Sequence, residues 1–178
     1  FFMSLSIGIS FFPEHGKDSQ DLIKFADVAM YETKEGGRNG ATLYSEEMGQ
    51  RILEKLTVQN ELRTAIQEDE FEMFYQSIVQ TKCGTIVGAE ALVRWNHKQK
   101  AILTPASFIH FIDEAGLSIE FGQLVIKKVL ADIQSINSKL GHNNFKVSIN
   151  ISPEHFFRFT FVDELLDYCK DFSIESHQ

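Results

Sequence analysis

The sequence predicts an α/β fold, and three observations carry that prediction. Apolar residues recur at helical spacing in long stretches and alternate with polar ones in short stretches. After a leading hairpin, the two kinds of stretch follow one another along the chain. The 178 residues are 43% hydrophobic and 24% charged, with 16 phenylalanines, which is ample material for a core.

Residues 2 to 12 read as a strand that ends at the turn Pro13-Glu14-His15-Gly16. Asp18 or Ser19 caps a helix that carries Leu22, Ala26, Ala29, Met30 and Thr33 on one stripe. Gly36-Gly37 stops it, and Ala41 to Tyr44 forms a short strand. Ser45 to about Asp69 reads as one helix, with Met48, Ile52, Leu56, Leu62 and Ile66 near i, i+4 spacing. Phe71 to Val79 and Ile86 to Trp95 read as a hairpin closed at Lys82-Cys83-Gly84. A loop from Asn96 to Leu103 leads to a helix with Thr104 as cap, Pro105 in its first turn and Gly116 at its end. Ser118 opens a longer helix through Phe121, Leu124, Val125, Val129, Ile133 and Ile136. Phe145 to Ile151 reads as a strand with Val147, Ile149 and Ile151 on one face and Ser148, Asn150 and Ser152 on the other. Ser152-Pro153-Glu154 opens a last helix through Phe161, Leu165 and Tyr168.

A formal net charge of -8 argues against a nucleic-acid polymer as partner, since a phosphate backbone calls for clustered Lys and Arg. A small dinucleotide needs only a few local cations. Cys83 and Cys169 stand far apart and suggest neither a redox pair nor a thiolate zinc site. The six histidines are scattered. No run approaches a membrane span, and no basic stretch precedes Phe1-Phe2-Met3, so the expected location is the cytoplasm.

Gly88 to Trp95 is the most informative segment. Glu90, Leu92 and Arg94 share one strand face, while Ala91, Val93 and Trp95 share the other. Charges on a strand that reads as buried need partners. Glu90 and Arg94 either neutralise each other, or the carboxylate meets a metal ion and the guanidinium a phosphate; spacing alone favours the ion pair.

Glu90-Ala91-Leu92, with Val93-Arg94-Trp95 after it and Tyr75-Gln76 before it, resembles the opening of the EAL domain of bacterial cyclic di-GMP phosphodiesterases. The likeness continues through Thr104-Pro105-Ala106-Ser107-Phe108-Ile109, Glu114-Ala115-Gly116-Leu117 and Val147-Ser148-Ile149-Asn150-Ile151-Ser152. It covers about residues 55 to 178 and departs at Ser77 and His110, where the family usually has proline. Ser4 to Ser10, Ala26-Asp27-Val28-Ala29-Met30-Tyr31 and Lys34-Glu35-Gly36-Gly37-Arg38-Asn39 resemble the end of a GGDEF (diguanylate cyclase) domain.

The resemblance implies a strand-helix-strand GGDEF remnant over residues 1–44, a helical linker over 45–60, and the first part of an incomplete EAL-type (β/α) barrel over 61–178. It implies Mg²⁺ or Mn²⁺ as cofactor in the complete domain and cyclic di-GMP as ligand. Glu90 and Asn150 match metal-binding and catalytic positions, and Arg94 matches a substrate-phosphate contact. Gln76 and Leu92 match substrate-contacting positions, although a strand-end hydrogen bond and plain packing are the bland readings. Lys34 and Arg38 match contacts to GTP phosphates, or are solvated surface cations. The remaining acids and the lysine of the family's site would lie beyond Gln178, so the expected fragment is inactive by itself. Its parent is expected to be a phosphodiesterase. The alternatives are a degenerate cyclic di-GMP receptor and a diguanylate cyclase with a regulatory EAL domain. The resemblance leaves open a homodimer of the parent and a membrane anchor outside this chain.

Overall fold

The computed structural model describes residues 4–140 and 145–174 and divides into two compact units, Phe1–Val58 and Gln59–Gln178. In the first unit, β1 (Ser6–Ile9) and β2 (Gly40–Leu43) pair in parallel across the intervening helix α1 (Ser19–Glu35). Asp18 caps α1, its carboxylate accepting the N–H groups of Gln20 and Asp21 at 2.9 Å. Thr33, buried on α1, donates its hydroxyl to Ile7 O at 3.1 Å or Ala29 O at 3.0 Å and meets Thr42 Oγ1 at 2.7 Å. Helix and strand lie so close that a Cβ on Gly8 would stand 1.8 Å from Ala26 O, so only glycine fits there.

Helix α2 (Glu46–Gln67) is followed by the second unit's four-stranded sheet. Strands β3 (Phe71–Val79) and β4 (Ile86–His97) form the antiparallel hairpin. β5 (Ala101–Leu103) extends it on β4, and β6 (Lys146–Ile149) pairs with β4 in parallel, Glu90 lying opposite Ser148. Parallel neighbours need a crossover. Here it is a turn of 3-10 helix (Pro105–Ser107), α3 (Ile109–Glu114) and α4 (Ser118–Leu140). Two helices, α5 (Pro153–Phe156) and α6 (Phe161–Asp171), follow β6.

One face of β4 packs on the crossover helices. Ala89, Ala91 and Trp95 are buried there, with Phe108, Ile112, Phe121, Val125, Ile126, Val129 and Ile133. Phe71, Trp95, Phe108 and Phe121 form a cluster, Phe71 meeting Phe121 edge-on at 5.0 Å and Trp95 meeting Phe108 edge-on at 5.7 Å. Each such pair is worth about 0.5–1.5 kcal/mol beyond the area it buries. Trp95 Nε1 donates to Glu70 at 3.0 Å, and Lys98 pairs with the same carboxylate at 2.8 Å. These donors hold the Glu70 carboxyl below the usual range.

The elements depart from the sequence expectations at five points. The first strand keeps only Ser6–Ile9 of the residues expected for it, because β2 offers four partners; Phe2 and Met3 lie outside the described residues. The stretch from Asn96 to Leu103 is no loop. β4 runs on through Asn96 and His97 and turns into β5, with His97 buried against Trp95 at 4.6 Å. The helix expected from Thr104 is split at Phe108, whose φ of -139° lets its fully buried ring reach the aromatic cluster. The helix expected from Ser152 is likewise two: Thr160 donates to Glu164 at 2.7 Å as α6 starts afresh. On α2 the expected stripe holds at Leu62, which is fully buried, but Leu56 stays 51% exposed. No closed barrel forms among the described residues.

Candidate functional site

The face of the sheet turned away from α4 carries the candidate chemistry. Period-two alternation puts Glu90, Leu92 and Arg94 of β4 on it. Antiparallel register adds Gln76 opposite Glu90, Phe74 opposite Leu92 and Glu72 opposite Arg94. Parallel register adds Ser148 opposite Glu90, and Asn150 follows two residues later on the same face. Five of the seven expected site residues therefore occupy one face of three neighbouring strands.

The expected convergence of positions 90 and 150 is present. Asn150 Nδ2 donates to Glu90 Oε1 at 2.7 Å. The bond joins the middle of β4 to the residue just beyond β6, and it rests on the pairing of the two strands. Glu90 is half-buried and Asn150 exposed, so the carboxylate keeps access to solvent.

The ion pair that spacing favoured between Glu90 and Arg94 does not form among the described residues. Arg94 instead donates from Nη1 to Val93 O at 2.8 Å, and its guanidinium carbon stands 5.4 Å from the centre of the Phe74 ring. The premise of full burial fails here, because both charged residues sit on the open face and are only half-buried. Solvent screens them, and mutual neutralisation is not required. Glu72, opposite Arg94, accepts instead from Asn96 Nδ2 at 3.3 Å.

Gln76 is exposed and Leu92 half-buried. In the first unit, Lys34 lies in the last turn of α1 and Arg38 in the following turn. Both are exposed; Arg38 holds a left-handed φ of 63°, and its N–H donates to Thr33 O at 2.9 Å. Phe74 was missed from sequence. Applying to β3 the alternation applied to β4 puts it beside Gln76 on the site face.

Beside Asn150, a cavity of about 270 Å³ opens between α3, the first turns of α4 and the connection from β6 to α5. Ile109, Ile112, Phe121, Val125 and Ile151 make it mostly apolar, and its one acid, Asp113, already accepts from Ser118 Oγ at 2.6 Å. His155, on α5, is 1% exposed, and its Nδ1 has no hydrogen-bond partner. Burial pushes its pKa down, toward the neutral ring.

Glu90 and Asn150 offer a carboxylate oxygen and an amide oxygen, the hard donors that Mg²⁺ and Mn²⁺ take. Their contact shows that both side chains reach one point, so the pair fits as part of a divalent-cation site. No group of three or more His, Cys, Asp or Glu residues able to hold a metal occurs among the described residues. Two oxygen donors alone would not complete the coordination of either cation.

A helix-backed mixed sheet, with β6 added in parallel to β4 through crossover helices, is how a β/α barrel begins. The chain belongs to the EAL domain family, whose model matches residues 59–178, and residues 1–40 match the diguanylate cyclase, GGDEF domain. It is similar to the cyclic di-GMP phosphodiesterase PdeR of Escherichia coli, with 37% identity over 85% of this chain and 22% of PdeR. It is also similar to the bifunctional diguanylate cyclase/cyclic di-GMP phosphodiesterase MucR of Pseudomonas aeruginosa, with 30% identity over 97% of this chain and 25% of MucR. Among solved structures, the EAL enzyme Bd1971 in its cAMP- and cyclic-di-GMP-bound form matches with a TM-score of 0.69 and 28% identity. That match covers 92% of this chain and 43% of the other. The chain thus spans about a fifth to a quarter of the length of these curated relatives. No helix among the described residues is long and apolar enough to cross a membrane.

Proposed function

We propose that this chain carries the opening part of the site of a divalent-metal-dependent cyclic di-GMP phosphodiesterase, within a bacterial signalling protein that joins GGDEF and EAL domains. The observation that carries this reading is the 2.7 Å contact between Asn150 and Glu90, which joins the two expected metal donors on one sheet face. The similarity to PdeR and MucR supports the same substrate. In this reading residues 1–44 are the GGDEF remnant, 45–60 a helical linker and 61–178 the first part of the EAL domain.

Glu90 and Asn150 are the cation donors, with Mg²⁺ or Mn²⁺ as the ion. When bound, the ion supplies Lewis-acid stabilisation of phosphoryl oxygens and an activated water. Arg94 holds the substrate phosphate through its guanidinium fork, a geometry that lysine does not reproduce. Gln76, exposed opposite Glu90, donates to or accepts from the ligand, and Leu92 provides an apolar wall. Lys34 and Arg38 are the corresponding candidates for GTP phosphates in the first unit. The parent works in the cytoplasm.

The test is hydrolysis of cyclic di-GMP in Mg²⁺ buffer by the complete protein and by its Glu90→Ala variant. The reading expects turnover by the wild type and its loss in the variant; a variant that hydrolyses near the wild-type rate refutes the assignment of Glu90. The partial donor set among the described residues favours a second outcome for the 178-residue chain alone: no turnover, since members of such a site act as a unit. A complete protein that binds cyclic di-GMP without hydrolysing it would be a receptor, and one that synthesises it from GTP a cyclase with a regulatory EAL domain.

A further inference from the structure

We infer that Phe74 is a positioning residue for Arg94, holding the guanidinium toward an anionic ligand without neutralising it. The inference rests on the reading of Arg94 as a phosphate contact and adds a residue that the sequence motifs do not single out.

Phe74 lies on β3 opposite Leu92, one cross-strand diagonal from Arg94. The Arg94 guanidinium carbon stands 5.4 Å over its ring. Among the described residues, the hydrogen bond of Arg94 is one N–H to its neighbour's carbonyl, Val93 O, at 2.8 Å. The carboxylate best placed to compete, Glu72, is directly across the strand pair and engaged with Asn96.

This distinction matters chemically. A carboxylate partner would cancel the charge of Arg94 and occupy two of its five N–H donors. An aromatic face attracts the cation through its quadrupole and consumes neither. The guanidinium is therefore oriented while most of its donor fork and all of its charge remain for a phosphate.

The test uses the complete protein with cyclic di-GMP as probe and four variants: F74L, F74Y, R94A and F74L/R94A. A cation–π contact at an exposed site corresponds to about a two- to fivefold change in affinity. F74L should weaken binding by that factor, F74Y should stay near wild type, and F74L should add nothing in the R94A background. An F74L loss that persists in the R94A background overturns the inference, as does wild-type affinity in F74L or a loss in F74Y equal to that in F74L. Arginine-selective ¹⁵N labelling reads the same geometry without ligand. The Arg94 Nε–H proton should be shifted upfield by the ring in wild type and F74Y and return downfield in F74L. An identical shift in F74L and wild type overturns the inference even if F74L proves too unstable for binding work, and Phe74→Met then serves as the ring-free variant. A wild-type protein that shows the ring shift but no affinity for cyclic di-GMP overturns the phosphate reading and this inference's ligand with it.

Discussion

Gly88 begins the segment that holds the site, and replacing it with alanine tests whether β4 and β6 pair as tightly as the site requires. A Cβ at this position would stand 2.6 Å from Lys146 O and 3.4 Å from Lys146 C, where ordinary contact begins at 3.4 Å. The obstacle is the backbone of β6 itself, so no side-chain rotation relieves it. Either β6 moves away by several tenths of an ångström or the ladder Gly88–Ala91 against Lys146–Ile149 is disturbed. Overpacking of this kind costs about 1–3 kcal/mol. The same displacement carries Asn150 away from Glu90, and misplacements approaching 1 Å in a catalytic constellation cost up to about 100-fold in rate. The assay pairs chemical denaturation of Gly88→Ala in the complete protein with cyclic di-GMP hydrolysis in Mg²⁺. Both stability and turnover should fall. A variant within about 0.5 kcal/mol of wild type, the range of neutral surface changes, and with undiminished turnover would refute the claim that this strand pair sets the site.

Other expectations follow from the packing. Tyr75→Phe removes the 2.6 Å hydrogen bond to Asp132 that ties β3 to α4; burial, and after it that bond, pushes the Tyr75 hydroxyl pKa up. It should lower stability by about 0.5–1.5 kcal/mol, and a melting curve superimposable on wild type would show the bond contributes nothing. His155 has a pKa lowered by burial, with Glu164 opposing the shift and Arg158 adding to it. The unfolded chain takes up the proton below about pH 6.5 while the folded chain resists, so stability should decline as pH falls through that value. His155→Gln should flatten that limb; an unchanged pH profile would show that the ring does not titrate differently on folding. Glu70, held low by Lys98 and Trp95, contributes stability above its unfolded value, lost as pH falls through its folded one. Trp95→Phe should therefore shift the acid midpoint upward in a pH-melt series.

The site was legible from sequence to the extent that alternation along single strands suffices. Glu90, Leu92 and Arg94 fall on one face by period two, and Ser148 and Asn150 do so by the same rule. That both rows share one side of the same sheet depends on register, which only pairing reveals. The Glu90–Arg94 ion pair was misjudged because strand pattern does not disclose which face remains open to solvent. The β5 strand hid behind Lys98-Gln99-Lys100, a polar run with no glycine or proline to mark a turn; Ala101 takes the left-handed φ of 61° there instead. The helix break at Phe108 comes from anchoring of its ring among Phe71, Trp95 and Phe121, which helical periodicity does not carry. Hairpin β3–β4 was read within two residues because its alternation is long and its turn compact.

The most direct test of the shared cation site is a crystal of the complete protein grown with Mn²⁺ and measured at the manganese absorption edge. The account predicts an anomalous peak coordinated at once by a Glu90 carboxylate oxygen and by Asn150 Oδ1, and weaker Mn²⁺ binding in both E90Q and N150A. A peak held by one of these residues with the other turned away, or N150A binding Mn²⁺ as tightly as wild type, would contradict it.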